Sequence, residues 1–146
     1  MKVDVKEKLR IHRLKKRFEN YPGIKSYRIF SYDELTHEER DIVNNLYRTD
    51  STAHEKIPFT CTRRWDYEGL IKERVLPYLV YDSEIVISGV VAVFLENSDV
   101  FLQRHFEEAE GFNIWLLNRC ARKIISVHET EYFLKILDSD IPPSID

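Results

Sequence analysis

The feature that most constrains this chain is the apolar block from Tyr78 to Glu96, "YLVYDSEIVISGVVAVFLE". It is rich in β-branched residues, and its apolarity is nearly continuous instead of alternating. A run of that kind reads as strand covered on both faces, so it calls for helices above and below it. A hairpin is expected, with one strand over 78–82, a second over 84–96, and the turn at Asp82-Ser83. Gly89 inside the second run predicts a bulge or a close backbone approach. The longest apolar piece, 85–95, is far shorter than the roughly 20 residues of a membrane-spanning helix, so no span is expected.

The rest of the chain supplies the covering helices. Ile11, Leu14, Phe18 and Tyr21 recur at helical spacing, which predicts a helix over 3–19 that ends at Pro22-Gly23. "KSYRIFS" (25–31) alternates as a short strand, with Tyr27 and Ile29 on one face and Arg28 and Phe30 on the other. Ser31 with Glu34, and Thr36 with Glu39, are two capping boxes, and either can begin a helix running to about Arg48. Residues 50–59 read as a loop, with "FTCT" as a brief extended piece. A helix is expected over 63–76, capped by Asp66 and stopped by Pro77. "DVFLQRHFEEAE" fits strand or helix. Residues 112–123 read as helix, 124–128 as strand, 129–138 as helix, and the tail as an extended end. The fold class is therefore α/β (α+β): one layered domain over 23–146 with a central mixed or antiparallel sheet, preceded by a basic amphipathic helix over 1–22.

With 146 residues, one core of ordinary size is expected. A composition 43% hydrophobic and 32% charged excludes a disordered chain. The N-terminus carries no apolar signal core, and Cys61 and Cys120 have no metal or disulfide spacing, so buried thiols and a cytoplasmic location are expected. The net charge of −3 hides an asymmetry, because residues 1–20 hold eight Lys or Arg against three acids. That leader is +5, which leaves −8 on the remainder. Its basic face is either a solvated surface or a site for nucleic acid or another acidic surface. The acidic remainder could steer a basic protein partner.

Beyond these elements, "YLVYDSEIVISGVVAVFLEN", "EGFNIWLLNRCAR" and "IISVHETEYFLKI" together resemble the GNAT acetyltransferase family over about residues 24–138. The resemblance implies a strand pair contributing Val91 and Val93 to a cofactor site. It also implies a loop and helix, with Gly111, Asn113 and Ile114, cradling the pyrophosphate of acetyl-CoA. Glu107, Glu108 and Glu110 stand where the family places basic or amide residues. The family likeness therefore implies either an acyltransferase using acetyl-CoA or a degenerate relative that no longer binds it. In the first case Glu96 would be the general base and Tyr132 the acid for the departing thiolate. A solvated strand end and a rim aromatic are the competing readings of those two residues.

The alternative from another class is a non-catalytic binding or regulatory protein, such as a phage accessory factor or an immunity-type inhibitor. His105 with Glu108, and His128 with Glu131, have ligand-like spacing, but no third motif completes a metal site and none is expected. "TRRWDY" (62–67) is either a recognition patch of arginines and aromatics or an internal ion pair beside a buried Trp.

Overall fold

The computed structural model describes residues 5–46, 55–58, 64–79, 83–109, 112–129 and 133–142. Among these residues four α-helices accompany seven strands: α1 (Val5–Phe18), α2 (His37–Asn44), α3 (Arg64–Val75) and α4 (Ser98–Ala109), with β1 (Ile24–Ile29), β2 (Glu55–Pro58), β3 (Ile85–Ile87), β4 (Val91–Leu95), β5 (Ile114–Asn118), β6 (Lys123–Glu129) and β7 (Phe133–Asp140). The strands form one sheet in the order β1-β4-β3-β5-β6-β7-β2. Every neighbouring pair is antiparallel. The architecture is thus mixed α/β and layered.

Alternate residues of the strands feed two cores, because successive side chains point to opposite faces. Ile85, Ile87, Val91, Val93, Ile114, Leu116, Ile125 and Val127 pack with Phe18 of α1, Ile71 and Val75 of α3, and Phe101, Leu102 and Phe106 of α4. On the other face Val86, Ala92, Trp115, Leu117, Ile124 and Leu137 pack with Phe30, Leu35 and Leu46, with Ile42 and Val43 of α2 against them. Burying each large apolar side chain contributes about 1.5–3 kcal/mol. This two-sided cover is what the continuous apolar block required.

The hairpin lies elsewhere than expected. The turn is not at Asp82-Ser83 but inside the block, at Ser88-Gly89, and residues 80–82 lie outside the described residues. Ser88 and Gly89 have φ of 50° and 72°, and the Val90 N–H donates to the Ile87 carbonyl at 3.1 Å. Positive φ at both central residues is the signature of a mirror-image type I turn, the kind that matches strand twist. Gly89 also makes the close approach its position suggested: a Cβ there would lie 2.9 Å from the Trp115 ring.

Four further expectations are corrected. The helix expected over 112–123 is strand β5 and a turn, and the helix expected over 129–138 gives way to β7 from Phe133 onward. "IWLL" is buried at every position, and a short apolar run buried on all sides has no period to tell helix from strand. The expected loop over 50–59 contains β2, which pairs with β7; Pro58 is tolerated there because β2 is an edge strand. Asp66 falls inside α3 and does not precede it.

Both capping boxes form. Ser31 caps a 3-10 turn over Tyr32–Glu34, and Thr36 caps α2, each with its glutamate reaching back to the cap N–H. The ambiguous segment after Ser98 is helical, and Phe101, Leu102, His105 and Phe106 form its buried face. Asn97 caps α4, its Oδ1 accepting from the Val100 N–H at 3.1 Å.

Candidate functional site

Charge pairing divides the molecule. Around β1, α2 and β5 two arginines are consumed internally. Arg28 donates to Glu84 at 2.8 and 2.9 Å and to Glu34 at 2.7 Å. Arg119 grips the buried Glu39 carboxylate at 2.9 and 3.0 Å. Both guanidiniums lie over the Phe30 ring, at 5.6 and 5.8 Å from its centroid. Burial pushes the Glu39 carboxyl up, but the hydrogen bonds from Arg119 and from the Thr36 N–H outweigh it and hold the group below its ordinary value. Elsewhere Lys72 pairs with Asp99, Arg104 with Glu108, and Lys123 with Asp138 and Asp140.

Helix α1 is built differently. Phe18 is buried, Leu14 packs partly on the same core, and Arg17 reaches Glu108 at 3.0 Å, so its C-terminal half is docked. Arg10 folds back onto Glu7 at 2.6 Å. Lys8, Arg13, Lys15 and Lys16, by contrast, are exposed, and among the described residues none of them pairs with a carboxylate. Lys8, His12, Lys15 and Lys16 are spaced by four, three and one, so they lie along one face of the helix.

That face borders a groove of about 440 Å³ between α1 and β1, lined by His12, Lys15, Lys16, Glu19 and Tyr27. Tyr27 is presented by β1, and its hydroxyl donates to the Lys15 carbonyl at 3.3 Å. The Phe18 ring stands 6.2 Å from the Tyr27 ring, on the core side. The groove therefore combines a fixed aromatic ring with unneutralised cations, the two chemistries that grip a nucleic-acid strand.

Of the residues singled out for a cofactor, Val91, Val93 and Ile114 pack together in one core cluster, 0%, 0% and 2% exposed. The backbone of β4 is paired on both sides, with β1 and with β3, and has no edge left for a cofactor chain. The expected helix after Asn113 is absent, since β5 begins at Ile114. Asn113 acts as a clasp: its carbonyl meets His105 Nε2 at 3.0 Å and its Oδ1 accepts from the Glu129 N–H at 2.6 Å. Glu96 is exposed beyond the end of β4, where its N–H donates to the Gly23 carbonyl at 2.8 Å. Gly111 and Tyr132 lie outside the described residues, as do Cys61, Arg63 and Glu131. Of the other patch residues Tyr67 is buried. Cys120 is exposed in the turn after β5, not buried as expected.

Two smaller clefts hold polar groups. A crevice of about 40 Å³ lies between Arg17, Tyr21, Ser88 and His105. Burial pushes the Tyr21 hydroxyl up to about 12, with Glu108 adding to the shift. Burial holds the His105 imidazole below its ordinary value, Arg17 reinforcing and the Asn113 carbonyl opposing. A cleft of about 300 Å³ over Ile125 and Ile136 is edged by Glu73, Arg74, Tyr78 and Asp138. There the Tyr78 hydroxyl donates to Asp138, which raises its pKa. Among the described residues no group of three or more His, Cys, Asp or Glu could hold a metal ion, and no helix is long and apolar enough to cross a membrane.

Sequence reasoning found the cations of α1 through their count. It missed Tyr27 as their neighbour, because only the fold sets β1 beside α1. No known family model matches this chain, and no similarity to a curated protein or a solved structure was found.

Proposed function

We propose that this is a non-catalytic binding protein that holds nucleic acid through the exposed face of α1. One observation carries the reading: Lys8, Arg13, Lys15 and Lys16 have no acidic partner among the described residues and follow one another along a single helix, whereas Arg28, Arg119 and Lys123, on or beside the sheet, are each matched to carboxylates. Unmatched cations along one helix repel each other, and an array of phosphates relieves that repulsion by counterion release.

A basic protein partner finds less support. Among the described residues many acids are engaged by cations of the same chain: Glu34 and Glu84 by Arg28, Glu39 by Arg119, Asp138 and Asp140 by Lys123, and Glu108 by Arg17 and Arg104. Acyl transfer with acetyl-CoA finds less support still. The GNAT-like site would draw on side chains that are in the core and on a strand whose two edges are taken.

Fluorescence anisotropy with a labelled oligonucleotide tests the reading. Four phosphate contacts give a log–log salt slope of about −3. Replacing Arg13, Lys15 and Lys16 together by alanine should remove most of that slope. No binding at 50 mM salt, or a triple variant that binds as tightly as the parent, would sink the proposal.

A further inference from the structure

We infer that the groove between α1 and β1 takes an unpaired nucleotide of a single strand, with Tyr27 as the stacking surface and Lys15 and Lys16 on the flanking phosphates. This rests on the nucleic-acid reading above and narrows it to one class of ligand. The groove is concave and of about 440 Å³. In a duplex the bases are stacked inside the helix, and the phosphate ridge that meets a protein is convex. Against a duplex an aromatic ring lining the groove, as Tyr27 does, is then idle, whereas a free base can approach and stack on it.

Tyr27 suits that role by its placement. It sits on a strand that is hydrogen-bonded to β4 and so is held by the sheet. Its hydroxyl is occupied by the Lys15 carbonyl and Phe18 stands beside its ring, so the ring enters the groove already oriented. The hydrogen-bonding end is used within the protein, which leaves the π surface as the recognition element. Every base has a π face, so the groove accepts bases without a strong sequence preference.

The charges set where the backbone runs. Lys15 and Lys16 attract phosphates from one wall of the groove, which His12 also lines. Glu19 lines the same groove and repels phosphate. The strand therefore keeps its phosphates toward Lys15, Lys16 and the exposed Lys8, and turns its bases toward Tyr27.

The test uses the full chain and three labelled ligands at 50 mM salt: a ten-residue oligothymidylate, an abasic strand of the same length, and a hairpin duplex. The parent protein should bind oligothymidylate at least fivefold more tightly than the abasic strand, the lower end of a stacking contribution of about 1–3 kcal/mol per base. Tyr27→Leu should lower oligothymidylate affinity by about five- to a hundredfold and leave duplex affinity unchanged, whereas Tyr27→Phe should retain binding. Circular dichroism identifies a Tyr27→Leu variant that fails to fold; the abasic comparison on the parent protein decides the question in that case. Equal affinity for oligothymidylate and the abasic strand would overturn the inference while leaving the cationic face as a phosphate site. Tighter binding of the duplex than of oligothymidylate would overturn it in the same way. Absence of binding to all three ligands would overturn the broader reading with it.

Discussion

Replacing Gly23 by alanine should be among the most damaging single changes at a turn of this protein. Gly23 has a φ of +85°, and a Cβ there would lie 2.5 Å from the Asn97 carbonyl oxygen, 2.5 Å from the Phe101 amide nitrogen and 2.9 Å from the Phe101 Cα. The left-handed backbone alone costs about 1–2 kcal/mol for a residue with a Cβ. The three neighbours are backbone atoms in and before the first turns of α4, so relief requires moving the helix, which adds about 1–3 kcal/mol. The same shift loosens the Glu96 and Asn97 N–H bonds to the Gly23 carbonyl, at 2.8 and 2.9 Å, each contributing about 1 kcal/mol. Gly23→Ala should therefore lose about 4 kcal/mol of a total stability of about 5–15 kcal/mol. Urea denaturation followed by circular dichroism reads this as a lower midpoint at constant slope. Gly69→Ala is the internal control. Gly69 is exposed within α3 and a Cβ there meets nothing within 4 Å, so alanine should add about 0.5–1 kcal/mol by helix propensity. A Gly23→Ala protein within about 1 kcal/mol of the parent would refute this reasoning.

Four other outcomes are expected. Arg119→Ala leaves the Glu39 carboxylate without its bidentate partner and, with Arg119 itself 40% exposed, should cost about 2 kcal/mol in chemical denaturation. Because the folded Glu39 carboxyl titrates below its unfolded value, its stabilisation is complete above about pH 4.3 and is lost as pH falls through the folded value; Glu39→Gln should flatten that limb of the stability–pH curve. His105 is also depressed on folding, chiefly by burial. Its contribution is complete above about pH 6.5 and falls as pH drops through the folded value, so an NMR titration should give a His105 midpoint below 6.5, and His105→Gln should reduce the loss of stability between pH 7 and 5. Ser88→Asn should stabilise by about 0.5 kcal/mol in thermal denaturation, because Asn-Gly suits a turn whose two central φ are positive better than Ser-Gly does.

The parts of the fold written in local chemistry were legible in the sequence. The Ser31–Glu34 and Thr36–Glu39 boxes form as hydrogen-bond patterns confined to four residues each. Pro77 stops α3 as expected, with a 3-10 turn over Leu76–Tyr78 following it. What failed was local pattern without a period. "IWLL" has apolar residues on every side, and only pairing with β3 and β6 makes it a strand. Residues 133–138 were misread for a related reason: Leu134, Ile136 and Leu137 fit helical spacing as well as alternation. The hairpin turn was displaced because Asp82-Ser83 looks like a turn, while Ser88-Gly89 is hidden among apolar neighbours. His105, whose spacing from Glu108 is ligand-like, is instead 7% exposed and bonded to the Asn113 carbonyl. For the site, the cations were visible as a count. The groove was not, since Tyr27 and α1 are adjacent only through Phe18 and Tyr21 anchoring the helix in the core.

The placement of β1 and β2 has a consequence for how the chain reaches this state during synthesis. These two strands come early in the sequence, yet they sit at opposite margins of the sheet, one on β4 and the other on β7. β7 emerges from the ribosome last of the strands, and β2 has no partner until it does. The residues from β2 to β6 must then wait as a nascent chain with an unfilled place beside them. Pairings this distant in sequence make folding slow, and they make it late. A ribosome stalled before residue 133 should hold a chain that is protease-sensitive throughout its β2 segment, with the whole sheet consolidating in one step once residues 133–140 are free.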